Sequence, residues 1–109
     1  MLLDAETRAF VDAQRLGRLA TVDETGQPHV VPICFALEDD RLYSAIDEKP
    51  KARPSRPLRR LGNIAANPHV QVLFDLYDDA DWSRLRWVQL RGRARILEPG
   101  EALEVAIAA

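Results

Sequence analysis

The stretch Pro28–Leu37, PHVVPICFAL, limits the fold more than any other part of the chain. In an extended chain successive side chains point to opposite faces. His29, Val31, Ile33 and Phe35 then share one face, and Val30, Pro32, Cys34 and Ala36 share the other. Both rows are largely apolar, so such a strand needs cover on both sides, from its own barrel and from something else. Pro32 has no N–H for a ladder, which puts the strand at an edge or at a bulge.

Other strands surround it in sequence. Arg18–Asp23 reads as one, followed by a turn at Glu24–Thr25–Gly26–Gln27, and Arg41–Ile46 as another, after a turn at Glu38–Asp39–Asp40. In His69–Tyr77, Val70, Val72, Phe74 and Leu76 alternate with Gln71, Leu73, Asp75 and Tyr77, the period of a half-buried strand. An acidic loop, Asp78–Asp81, leads to a long strand, Leu85–Leu97. Its apolar row is Val88, Leu90, Gly92, Ala94 and Ile96; its opposite row is Trp87, Gln89, Arg91, Arg93 and Arg95.

Helical spacing marks Leu3–Leu16, with Asp4 as N-cap and Gly17 as the stop. Pro57 stands before a second helical pattern, LRRLGNIAANP. Pro99–Gly100 ends the long strand, and Glu101–Ala109 reads as the start of a third helix. Helix, three strands, helix, two strands and helix predict an α+β domain whose antiparallel sheet curls into a small barrel.

At 109 residues this is one domain, 1–109. No apolar run approaches the roughly 20 residues of a membrane span. The acidic N-terminus is unlike a signal peptide, and a single cysteine allows no internal disulfide; both suit the cytoplasm. A net charge of -2 argues against a dedicated nucleic-acid binder.

Against that balance Lys49–Arg60, KPKARPSRPLRR, holds six cations: Lys49, Lys51, Arg53, Arg56, Arg59 and Arg60. Charge runs are commonly solvated loops. Here the run ends on a helix start, where free backbone N–H groups beside guanidinium groups suit an anion. No nucleophile–His–acid set and no metal-ligand cluster is visible. His29 and His69 stand apart, with no Cys or acidic partner at ligand spacing. Cys34 reads as a small buried apolar residue. Trp82 and Trp87 read equally well as covers for a ring or as packing in a dimer seam.

The runs GRLATVDETGQPHVVPICFALEDDRLYSAI, RLGNIAANPHVQVLFDLYD and WVQLRGRARIL, in this order, resemble the pyridoxamine-phosphate-oxidase-like flavoprotein family. They resemble most its branch of small proteins that use the deazaflavin coenzyme F-420. The resemblance covers roughly Phe10 to Leu97 and implies an antiparallel split β-barrel with short flanking helices. It implies that Val30, Val31, Pro32 and Ile33 lay their backbone along the cofactor ring. The family's K-x-x-N-L-x-x-x-P signature is similar to Arg60–Pro68, with Arg60 in place of the phosphate-binding Lys and Asn63 at the signature's Asn. Trp87 joins this implied cofactor set. The Pro-rich insertion before Arg60 is longer than in the family, and Lys49, Lys51, Arg53 and Arg56, upstream of the phosphate position, are expected to meet F-420's carboxylate tail. Related proteins continue into a further strand, so the chain is expected to lack its C-terminal strand.

The implied function is an oxidoreductase that moves a hydride between F-420 and a small organic substrate, with no catalytic side chain and no metal. Flavin mononucleotide (FMN) is the alternative cofactor. A non-enzymatic flavin- or haem-binding protein on the same fold stays open as well. A nucleic-acid or acidic-protein binder built on Lys49–Arg60 is a third reading, opposed by the absence of interleaved aromatics. The expected assembly is a homodimer with the cofactor in the cleft between subunits, away from nucleic acid and membrane.

Overall fold

Seven strands form one antiparallel sheet in the order β2-β1-β5-β6-β7-β4-β3. They are β1 (Gly17–Val22), β2 (Pro28–Ile33), β3 (Ala36–Glu38), β4 (Arg41–Ala45), β5 (His69–Leu76), β6 (Arg86–Leu97) and β7 (Ala102–Ala108). Helix α1 (Ala5–Asp12) precedes them, and α2 (Arg59–Ala66) leads into β5. The computed structural model describes residues 2–45, 59–97 and 102–108.

The two edge strands, β2 and β3, are consecutive in sequence and separated only by Cys34 and Phe35. Laid flat, seven strands would put the edges about 29 Å apart, six spacings of roughly 4.8 Å. From Ile33 to Ala36 the chain reaches about 11 Å at most. The sheet must therefore curl until its edges approach, which makes the barrel. Leu19, Leu42, Val72, Phe74, Leu103 and Val105 fill it and are fully buried. Phe35, in the link itself, meets Phe74 edge to face with ring centroids 4.8 Å apart. No described helix is long and apolar enough to cross a membrane.

The β2 alternation has the expected sense. His29, Val31 and Ile33 face inward, while Val30 and Pro32 are exposed, and the strand lies at an edge as Pro32 requires. It ends at Ile33 rather than continuing to Leu37. Cys34, expected in the core, is exposed, because it belongs to the link between the edges and sits on the outward row.

Two other expectations are corrected. Asp4 does cap α1, accepting from the Thr7 N–H at 2.7 Å, but the helix stops at Asp12. Gly17 instead opens β1, where a Cβ would stand 2.7 Å from Phe74 Cε1, so the absence of a side chain serves packing. The segment read as a third helix is strand β7 between β6 and β4. Leu103, Val105 and Ile107 are its buried row. At Gly92 of β6 a Cβ would lie 2.5 Å from the Ala106 carbonyl oxygen, so only glycine lets β7 approach this closely.

Glu104 is why the β7 segment misleads. It is buried on the outward side of the sheet, where Arg41 Nη1 donates to it at 2.9 Å and Arg95 Nε at 3.0 Å. The Arg95 hydrogen bond, helped by the Tyr43 hydroxyl and the charge of Arg41, holds its carboxyl below the usual value near 4.5. A depressed folded-state pKa contributes stability above the unfolded value, lost as pH falls through the folded one. Glu104→Gln should therefore be less stable than the parent at pH 7, and the gap should narrow as pH drops below about 4.5. Urea denaturation at steps from pH 7 to 3 checks this; a constant gap would mean that the charge is not what stabilises β7.

Candidate functional site

The residues marked as a cofactor site fall around β2 and the start of α2. As an edge strand, β2 pairs among the described residues with β1 alone, in register from Val22↔Pro28 to Gly17↔Ile33. The other side of its backbone is open to accept or donate hydrogen bonds, except at the Pro32 nitrogen. That is the arrangement a ring lying along Val30, Val31, Pro32 and Ile33 would use. Their side chains divide: Val31 and Ile33 pack inward and Val30 is 60% exposed.

Arg60 lies in the first turn of α2, part-buried, and its Nε is shielded from solvent with no hydrogen-bond partner among the described residues. Burial pushes its pKa down from the usual arginine value. The guanidinium nevertheless stays charged at neutral pH. An orphaned charged donor at a helix start fits an anion such as phosphate. Asp78, in the acidic loop, is taken by Arg84 at 3.3 Å. Lys49, Lys51, Arg53 and Arg56 lie outside the described residues.

Asn63, one turn after Arg60, is buried, and its Nδ2 donates to Thr21 Oγ1 of β1 at 2.9 Å. Thr21 is fully buried too. This bond ties α2 to the sheet and sets where the helix start, and Arg60 with it, is held. Trp87 lies elsewhere, on the outward row of β6 opposite Asp75, and is 62% exposed. Trp82 is exposed as well and meets Tyr77 edge to face at 5.5 Å. One chain thus seats α2 on β1, the neighbour of β2, and leaves both tryptophans open. Among the described residues no group of His, Cys, Asp or Glu could hold a metal.

The outward sheet face has a feature that strand-by-strand reading missed. A groove of about 670 Å³ crosses β1, β5 and β6. Val30, Ala20 and Leu73 line its apolar floor, and Arg18, Arg91 and Arg93 its cationic side. Arg18 pairs with Asp75 at 2.6 Å, and Arg93 Nη1 stands 3.5 Å from His69 Nε2. The arginine row was legible in β6, but its convergence with Arg18 depends on β1 and β6 flanking β5.

The family model described as pyridoxamine 5'-phosphate oxidase matches residues 3–109. The 5a,11a-dehydrotetracycline/5a,11a-dehydrooxytetracycline reductase of Streptomyces rimosus subsp. rimosus is 33% identical over 91 residues. That match covers 84% of this chain, which spans 61% of the relative's length. Among solved structures, an FAD-binding protein from Mesorhizobium loti superposes with TM-score 0.74 at 25% identity, over 100% of this chain and 95% of that one. An F420 reductase superposes with TM-score 0.66 at 20% identity, over 98% and 97%, a likeness that shows the fold alone.

Thr21→Val removes the acceptor and leaves the buried Asn63 amide unpaired. It should cost about 1–3 kcal/mol in denaturant-induced unfolding, whereas Thr21→Ser, which keeps the hydroxyl, should cost less. Equal losses in the two variants would assign the effect to packing rather than to the hydrogen bond.

Proposed function

Because the chain belongs to the pyridoxamine 5'-phosphate oxidase family, we propose that it is an oxidoreductase that transfers a hydride between coenzyme F-420 and a small organic substrate. The observation that carries this reading is Arg60, a charged donor held part-buried at a helix start with its Nε unmatched. When bound, reduced F-420 supplies the hydride, and a solvent proton completes a two-electron reduction of the substrate. The chain's own work is to bind and orient. The open backbone edge of Val30–Ile33 would receive the ring, Arg60 would hold the phosphate, and the Asn63–Thr21 bond keeps the α2 start in place.

FMN would use the same strand and the same arginine. F-420 is preferred because its oligoglutamate tail carries carboxylates beyond the phosphate. Lys49, Lys51, Arg53 and Arg56 precede Arg60 in sequence and match that charge. Exposed pairs of this kind contribute up to about 1 kcal/mol each and are screened by salt. Titration with F-420 should show affinity falling steeply with salt and with tail shortening. Arg60→Ala should weaken binding by about 1.5–3 kcal/mol with little change in melting temperature. If the protein purifies with FMN and F-420 cannot displace it, the cofactor choice fails.

A second copy would complete the site. The outward rows of β2 and β6 leave Val30 and Trp87 60% and 62% exposed. We assign Trp87 to the seam of a homodimer with the cofactor in the cleft between subunits. Sedimentation velocity should then give a dimer at micromolar concentration, and Trp87→Glu should shift it toward monomer. A cofactor-loaded monomer would defeat the assignment.

A further inference from the structure

We draw no further inference here: the strongest candidate, the exposed surface patch at the β5–β6 connection where Tyr77 and Trp82 meet edge to face beside Asp78, Asp79 and Asp81, carries nothing, because Arg84 and Arg86 offset those carboxylates and nothing in the structure shows what covers it.

Discussion

The two-residue link between the sheet's edges governs the rest of the structure. A seven-strand order that begins with β2 and ends with β3 cannot stay open when only Cys34 and Phe35 join those strands. Closure produces an inside and an outside. Inside, hydrophobic burial is large and undirected, and Phe74, Leu19, Leu42 and Leu103 contribute it. Outside, β2 remains an edge strand that pairs with β1 on one side.

Polar groups then fix what hydrophobic packing leaves loose. Asn63 and Thr21 meet in the core, where an unpaired amide would be costly, so their bond specifies one seating of α2 on β1. Glu104 does the same on the outward side, bridging β7 to β6 through Arg95 and to β4 through Arg41. Each joins elements distant in sequence. Arg60 contrasts with both: part-buried, charged and with an unmatched Nε, it carries a cost that a ligand would relieve.

Much of this was legible beforehand. The β5 and β6 rows follow from period-two alternation, since Val70, Val72, Phe74, Leu90 and Ala94 are all buried. The edge position of β2 follows from Pro32. What misled was local propensity. Ala102–Ala108 is rich in alanine and carries Glu104, which favours a helix in isolation. The strand alternation of Leu103, Val105 and Ile107 was there but diluted by small residues. Cys34 misled in the opposite sense, because an apolar run does not show where a strand stops.

The sequence by itself determined the class, an α+β chain with antiparallel strands, an edge at Pro32 and one charged outward row on β6, because those features depend on alternation and on the lack of a proline N–H. Tertiary structure decided the rest. Glu104 becomes a strand residue only when Arg41 and Arg95, 63 and 9 positions away, arrive beside it. The groove exists only because β1 and β6 flank β5, so that Arg18 and Arg93 share one surface. Periodicity is written in neighbours along the chain, whereas charge pairing and cavities are made by neighbours in space.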